Sequence, residues 1–480
     1  MSAASKALLL LSCTFLGLIC GTLYLYSSYS PQLAARLNYT ATDSSQIALL
    51  GTIGIAVSGP VAGRLVDSHG YTMSLFLGGL CTVLGYYGLK IQYDHQYSSV
   101  TSSASLIFMI GCGSTLMNSA CLKCCAISFP SIRGVATSLP LALYGLSALF
   151  YSVIGSVFYP GDTSSFLGFL AFSAAIIFII CTPRIIMADR EHRVRRNRVA
   201  AAAATANSEF ELTAIPNIEQ RSSTDQHFKH SQQKQIGGVD LLKSREFWLI
   251  FIVTGALASM GQMYIYSVGY MVKALALHNH NLVAEIPAHL DVDSHSSLES
   301  LVQQRQSLQV GLLSIANCVG RIASGILGDV FSQTFHKPRS MLLFLPALGL
   351  TLAQTMGLRF EEYSDLSSLS LLVGFFYGFT FCIMPIIVGD AFGMDNFSLN
   401  WGFVGLAPIL PSFYFTKLFG KTYDSNSSIS EVTGTSVCVL GKKCYSSVFH
   451  ITIWVTAFSV VVVTLINVRK RRRDKAIDRI

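Results

Sequence analysis

The sequence predicts an all-α integral membrane protein with twelve transmembrane helices in two six-helix, pseudo-symmetric bundles. Of its 480 residues, 51% are hydrophobic and only 12% are charged, whereas soluble domains carry about 25% charged residues. Apolar segments of about 20 residues, the length that crosses a bilayer, recur along the whole chain. A short echo between Gly63 to Asp67 and Gly325 to Asp329 indicates that the two halves are repeats.

The apolar segments follow one another in two sets of six. Short connections separate the first six, and the other six come after a long polar stretch. The predicted spans are 7–29, 45–66, 72–91, 104–129, 135–158, 164–183, 247–272, 306–330, 339–358, 367–390, 400–420 and 447–468. The first span runs on without a small-residue cleavage pattern, so we interpret it as a retained helix and not a signal peptide.

Composition divides the chain into four parts. Residues 1–183 are predicted as the N-terminal six-helix bundle and residues 246–468 as the C-terminal one. Residues 184–245 are polar, rich in Ala, Ser and Gln and without a sustained helical period, so we expect a mostly disordered, basic cytosolic linker. Residues 469–480 form a basic cytosolic tail.

The basic residues are arranged around a membrane and do not indicate a nucleic acid partner. The net charge is +8, and the densest basic runs are at 184–198 and 469–473, beside predicted spans. Lys and Arg are enriched in cytosolic loops, so we expect both termini in the cytosol. Such runs usually bind anionic lipid. The expected partners are therefore the bilayer and a small-molecule substrate. We expect a monomer, in the vacuolar membrane rather than the plasma membrane.

One arginine interrupts an apolar span. Arg321 lies near the middle of span 306–330, where cations usually face a bundle interior or a water-filled path. Asn317 precedes it by one helical turn, so both side chains share a face. Arg321 is either a packing cation paired with a carbonyl or carboxylate, or an anion-binding group in a translocation path. We favour the second.

A translocation path needs further polar side chains within the spans. The other candidates for substrate binding are Tyr24 and Tyr26 in span one, Asn118 in span four, Tyr144 in span five, Gln262 and Tyr266 in span seven, and Tyr377 in span ten. For each tyrosine, packing or a place at the headgroup level is the alternative, because Tyr is enriched there.

The sequence pattern repeated in the two halves is a glycine followed four residues later by an aspartate, at equivalent helix ends. Gly63, Asp67 and Gly70 stand at the end of span two, and Gly325 and Asp329 stand at the end of span eight. Repeated halves around a midplane site are the usual plan of secondary transporters. These five residues are the predicted gating motif.

The gating motif resembles the signature loop of the major facilitator superfamily and its second-half copy. That family usually has a basic residue just after the aspartate and more after the second glycine, whereas Ser68 and Tyr71 stand here. The sequence therefore departs from the family's charge relay at this loop. We expect Asp67 to interact with a neighbouring helix N-terminus or merely to cap a helix end.

Longer fragments resemble the nodulin-like branch of that superfamily, close to the monocarboxylate transporter-like group. They include FPSIRG, YGLS, GQMYIYSVG, SIANCVGRIASGILGD, GDAFG and NWGFVGLAP. The resemblance implies a secondary-active or facilitative transporter of a small solute, with a monocarboxylate-like organic anion as the expected substrate, working by alternating access. A transporter-like sensor or receptor that binds a solute without moving it is the alternative.

The same resemblance bears on coupling. In monocarboxylate transporters an aspartate tied to proton movement stands four residues before the arginine, but here that position holds Asn317. An amide does not titrate. The sequence therefore predicts facilitated or exchange transport, or proton coupling moved to another group such as Asp390.

Cysteines fall into two groups. Cys438 and Cys444 lie in the outer loop between spans eleven and twelve, and we predict a disulfide there on an oxidising face. Cys121 and Cys124 have C-x-x-C spacing on a span but no second ligand pair, so no metal site is predicted. Lys123 beside them is expected to reach the cytosolic interface by snorkelling.

Sequons test the same topology. Asn38 and Asn426 fall on outer loops and are predicted to carry glycans, whereas Asn396 falls on a cytosolic loop. The chain has no Gly-rich phosphate loop with a following lysine, no H-E-x-x-H and no G-x-S-x-G. We therefore predict that it is not an enzyme and has no cofactor.

Overall fold

The computed structural model of the protein describes residues 3–39, 41–159, 161–212, 236–278, 294–429 and 436–477. Within these residues, 12 helical segments are long and apolar enough to cross a membrane, as predicted. Numbered one to twelve, these spans are Ala3–Leu25, Gln46–His69, Tyr71–Asp94, Val100–Ser128, Arg133–Phe158, Thr163–Arg195, Arg245–Ala276, Gln304–Gln333, Arg339–Arg359, Tyr363–Phe392, Phe397–Ser425 and Ser446–Arg473.

Several spans are composite or continue beyond the membrane. Span one is an α-helix, Ala3–Cys20, a 3₁₀ turn, Gly21–Leu25, and then a further helix, Tyr26–Leu37. The other extended or divided elements are helices Ala41–His69, Thr163–Leu212, Val239–Lys243, Arg245–His278, Ser294–Gln333, Phe344–Arg359, Phe397–Val404, Ile409–Ser425 and Ser446–Ile477, with 3₁₀ turns Arg339–Leu343 and Gly441–Cys444. Strands Ser428–Ile429 and Ser436–Val437 form a small antiparallel pair.

Because the spans alternate in direction, the bundle has two faces. The face at which span six ends and span seven begins is called the linker face, and it corresponds to the predicted cytosolic side. The opposite face is called the disulfide face, because the structure joins Cys438 and Cys444 there. Asn38 and Asn426 lie on the disulfide face and Asn396 lies on the linker face.

The helix of span six continues far beyond the membrane. The expectation of a disordered linker from residue 184 onwards is wrong for its first part, because helix Thr163–Leu212 runs on to its end without a break. The extension contains an alanine run and several Arg and Glu residues, all with high helix propensity, and no Gly or Pro occurs between Pro183 and the end of the helix at Leu212. Residues 213–235 of the predicted linker lie outside the described residues.

Each half has its own apolar core. The halves meet where span two packs on span eleven and span five packs on span eight. A Cβ atom on Gly63 would overlap the carbonyl oxygen of Ser398, and one on Gly134 would overlap that of Gly325. Glycines therefore allow the backbones of the two halves to touch, and the echo in the sequence lies at these crossings.

On the disulfide face, the loop between spans eleven and twelve packs against the end of span seven. Nδ1 of His278 lies 3.0 Å from the carbonyl oxygen of Val439, and the ring of His278 lies against Gly441, which has a φ of +61°. Lys442 forms an ion pair with Glu361, and this contact lowers the pKa of the Glu361 carboxyl. The loop is thereby held on the ends of two spans.

Replacing Cys438 and Cys444 together with serine is expected to lower thermal stability. The two cysteines are 6 residues apart, and closing a loop of this size contributes about 2 kcal/mol in the chain-entropy account. The unfolding midpoint of purified protein would be compared with that of Cys81→Ser, which removes a free thiol. Peptide mapping without reductant that finds both wild-type thiols free would contradict the disulfide.

Candidate functional site

Arg321 is buried where the two halves meet. Its side chain is 4% exposed. Nε donates a hydrogen bond to Oδ1 of Asn317 at 2.7 Å, and Nη1 donates to the carbonyl oxygen of Leu141, in the other half, at 2.6 Å. The guanidinium lies 5.6 Å from the ring centroid of Tyr144, within the range of a cation–π interaction. One cation in span eight therefore contacts both halves.

Part of this guanidinium is still available. Arginine has five N–H donors, and the hydrogen bonds to Asn317 and Leu141 use two of them. Within the described part of the chain, Nη2 has no hydrogen-bond partner and no carboxylate forms an ion pair with Arg321. The carbonyl contact expected of a packing cation is present, but most of the donors stay available to an anion.

Three tyrosines, Tyr24, Tyr144 and Tyr377, lie near the guanidinium, and a fourth, Tyr266, lies beside Tyr24. The ring centroids of Tyr24 and Tyr144 are 5.8 Å apart, edge to face. Tyr24 and Tyr266 are 45% and 47% exposed, although side chains of both halves surround them. They therefore face a space between the halves and not a packed core.

Gln262 joins this cluster from span seven, one turn before Tyr266. Its Oε1 accepts a hydrogen bond from the hydroxyl of Ser412, and its side chain interacts with Tyr377. Next to it, Gly261 has no side chain, and a Cβ atom there would overlap the ring of Tyr377. The small residue lets the tyrosine of span ten pack against span seven.

Two predicted residues are not part of the cluster. Tyr26 points away from Tyr24, because residues two apart on a helix point in different directions. Tyr26 instead contacts Ser44, with 3.2 Å between the two hydroxyl oxygens, and packs on Tyr29. Among the described residues, Asn118 forms no hydrogen bond with Arg321, and its buried Oδ1 has no hydrogen-bond partner.

An apolar cluster closes the bundle between Arg321 and the linker face. Its members come from both halves and are Leu122, Leu141, Cys382 and Phe397, with Met394 and Trp401 packed against them. Leu141 thus contributes its side chain to the closure and its carbonyl group to Arg321. The two halves are in contact on this side of the site.

Asp67 connects span two to span eleven at the linker face. Its carboxylate accepts hydrogen bonds from the backbone N–H groups of Ser398 at 3.2 Å and Leu399 at 2.8 Å, at a helix N-terminus that favours an anion. The expected contact with a neighbouring helix N-terminus is present. Nζ of Lys123 lies 2.6 Å from the same carboxylate, so Lys123 reaches the linker face as expected, but it ends there in a buried ion pair and not in solvent.

Asp329 makes the equivalent connection between span eight and span five. It accepts hydrogen bonds from the backbone N–H groups of Gly134 and Val135, both at 2.8 Å. Nη2 of Arg339 lies 3.2 Å from this carboxylate, and Nη1 of Arg339 lies 2.8 Å from Asp390. Asp390, the predicted alternative for proton coupling, therefore belongs to the linker-face network.

The sequence did not indicate which carboxylates the cations of these networks pair with. Arg339 and Arg133, which lies 3.4 Å from Asp390, stand at span ends, where basic residues are ordinary and carry no signal of pairing. Lys123 stands inside a span, and a lysine at such a depth was the available signal. The partner is in another span, and spacing along the chain does not identify it.

Asp67→Asn is expected to destabilise the protein strongly. Lys123 and Asp67 have side chains only 7% and 5% exposed, and removing one partner of a buried pair costs about 3–5 kcal/mol. Asp240→Asn is the control, because the Lys243–Asp240 pair is 73% and 75% exposed and surface pairs contribute little. Thermal unfolding of purified protein measures both. Equal midpoints for wild type and Asp67→Asn would show that the pair does not stabilise the fold.

Comparisons with known proteins agree with this geometry. A family model described as Major Facilitator Superfamily matches residues 10–415. The structure is similar to that of the transporter FucP in the outward conformation, with a TM-score of 0.55 and 14% identity over 95% of this chain and 98% of that one. It is also similar to the proton:xylose symporter XylE, with a TM-score of 0.59 and 14% identity over 96% and 95%. Identities this low show the fold alone.

Fungal proteins are similar over most of their length. The uncharacterized membrane protein YMR155W of Saccharomyces cerevisiae is 25% identical, over 92% of this chain and 91% of its own. The probable transporter MCH1 of Wickerhamomyces anomalus is 24% identical, over 91% and 84%. The probable transporter MCH1 of S. cerevisiae is 23% identical, over 89% and 87%.

Proposed function

Because the chain belongs to the major facilitator superfamily, whose members are membrane transporters and not enzymes, we propose that it moves a small organic anion by alternating access. The observation that carries this proposal is the buried guanidinium of Arg321, which has a free Nη2 and no carboxylate partner among the described residues. A buried charge without a counter-ion is costly. A bound anion would supply the counter-ion.

A monocarboxylate-like anion suits this site best. The guanidinium is planar and matches the two oxygens of a carboxylate. Arg321 is the one cation of the described central cluster, so a single negative charge is matched. Amide and tyrosine side chains offer hydrogen bonds and aromatic surface to the rest of the solute. The proposal includes the nodulin-like, monocarboxylate transporter-like branch, a cytosolic linker face and the vacuolar membrane.

The described conformation supports access from the disulfide face. The apolar cluster and the hydrogen bonds of Asp67 and Asp329 close the linker face, while Tyr24 and Tyr266 are exposed between the halves. Opening towards the linker face requires spans two and eleven, and spans five and eight, to separate. The hydrogen bonds of both aspartates to the other half would then break.

Arg321→Lys is expected to lower uptake of labelled pyruvate, lactate or acetate into proteoliposomes by about tenfold or more. Lysine keeps the charge but reproduces the paired hydrogen bonds of guanidinium poorly, and one charge-assisted hydrogen bond is worth about 1.5–3 kcal/mol. Lys417→Arg, a change at an exposed cation of span eleven, is the control and should keep wild-type uptake.

The outcomes separate the two functions. Undiminished flux in a folded Arg321→Lys protein would refute the anion site. Wild-type protein that gains thermal stability from an anion but moves none of it would favour the sensor or receptor.

The dependence of uptake on pH distinguishes facilitated or exchange transport from proton-coupled transport. Asn317→Asp places a carboxyl group where Oδ1 now lies 2.7 Å from Nε of Arg321. Ionised, this group pairs with the guanidinium and repels the substrate, so uptake should fall at neutral pH. Uptake should recover as the pH falls and the carboxyl group is protonated. Uptake would be measured between about pH 5 and 8. The prediction would be contradicted if wild-type uptake rose steeply with an inward proton gradient and Asp390→Asn showed the same rise. Proton coupling would then depend on a group other than Asp390.

A further inference from the structure

One face of span five forms a cradle for Arg321. Leu141, Tyr144 and Gly145 share this face at helical spacing. Leu141 offers its carbonyl oxygen at 2.6 Å, and Tyr144 offers its ring at 5.6 Å. A Cβ atom on Gly145 would lie 2.9 Å from Oδ1 of Asn317 and 3.3 Å from Nε of Arg321. The guanidinium lies against the other half because position 145 has no side chain.

The backbone of Arg321 belongs firmly to the second half. A Cβ atom on Gly320 would overlap the carbonyl oxygen of Phe375, and one on Gly378 would overlap that of Asn317. Span eight is therefore packed backbone to backbone on span ten. When the halves move, Arg321 moves with the second half and the cradle moves with the first. Their contact is a connection between the halves in the middle of the bundle.

We propose that this connection holds the empty protein closed at the linker face, and that an anion releases it, so that the protein exchanges anions faster than it moves them one way. The inference rests on the proposed function. Without an anion, separating the halves takes the Leu141 carbonyl away from a cation that is still buried, which is costly. When a carboxylate binds Nη2, it neutralises the charge of Arg321. The guanidinium then loses less when its hydrogen bond to the Leu141 carbonyl breaks, so the halves separate more easily. Gly145 is a positioning residue that acts through Arg321.

Gly145→Ala tests the proposal directly. In proteoliposomes loaded with labelled pyruvate, wild-type exchange against external pyruvate should exceed net efflux by about tenfold, as expected if net movement must break one charge-assisted hydrogen bond. In Gly145→Ala, the ratio of exchange to net efflux should fall about tenfold, towards one. Gly311→Ala is the matched control in span eight, since its Cβ atom would meet only Leu149, at 4.0 Å. An unchanged ratio in Gly145→Ala, or an equal change in Gly311→Ala, overturns the proposal.

A second measurement needs no substrate. Amide hydrogen exchange of the empty protein in lipid nanodiscs reports opening at 134–138 and 397–400, the helix ends held at the linker face. Exchange there should be about tenfold faster in Gly145→Ala than in wild type or Gly311→Ala, because the loss of one charge-assisted hydrogen bond shifts the opening equilibrium by about that factor. Equal protection in all three proteins overturns the proposal. Faster amide hydrogen exchange in Gly145→Ala, together with full anion uptake by Arg321→Lys, would mean that the connection exists and the anion site does not.

Tyr144 provides an independent pair of variants if Gly145→Ala does not fold. Tyr144→Phe keeps an aromatic face over the guanidinium, whereas Tyr144→Leu removes it. The proposal is supported if amide hydrogen exchange at the linker face is faster in Tyr144→Leu than in wild type and is unchanged in Tyr144→Phe. Equal protection in the two variants overturns it.

Discussion

The structure depends on one buried cation that no carboxylate neutralises among the described residues. Arg321 is held by an amide, a carbonyl group and an aromatic ring, which accept its hydrogen bonds but leave its charge. Burying such a charge is tolerated only when surrounding groups are well placed. This requirement accounts for small residues around the Arg321–Asn317 pair, since Gly145 lets span five approach Arg321 and Gly378 lets span ten approach the backbone of Asn317.

The second constraint is the closure at the linker face, which follows one rule in both halves. An aspartate at the end of the second or eighth span accepts backbone N–H groups from the first turn of a span in the opposite half. A cation of its own half then neutralises it, Lys123 for Asp67 and Arg339 for Asp329. The helix N-terminus favours the charged carboxylate. Each closing contact is therefore strong while formed and is lost as a unit when the halves separate.

The central cluster and the closure are connected through span five. Leu141 packs in the apolar closure and binds Arg321 with its carbonyl oxygen, and Gly134, seven residues earlier, donates to Asp329. One helix therefore contacts both Arg321 and the aspartate that closes the linker face. In the proposed mechanism, a movement of this helix would affect the site and the closure together.

The sequence by itself determined the membrane class, the twelve spans and their order, because span length and hydropathy are local properties of the chain. The superfamily was indicated by the resemblance of the gating motif. The sequence also identified most of the central cluster, since polar side chains within apolar spans are few and Arg321 is conspicuous among them. Tertiary structure alone decided the partners. Leu141 supplies a backbone carbonyl, Lys123 finds Asp67 across a helix, and Tyr26 points away from Tyr24. These outcomes depend on how helices face one another, and hydropathy, which depends on composition and not on direction, does not carry that information.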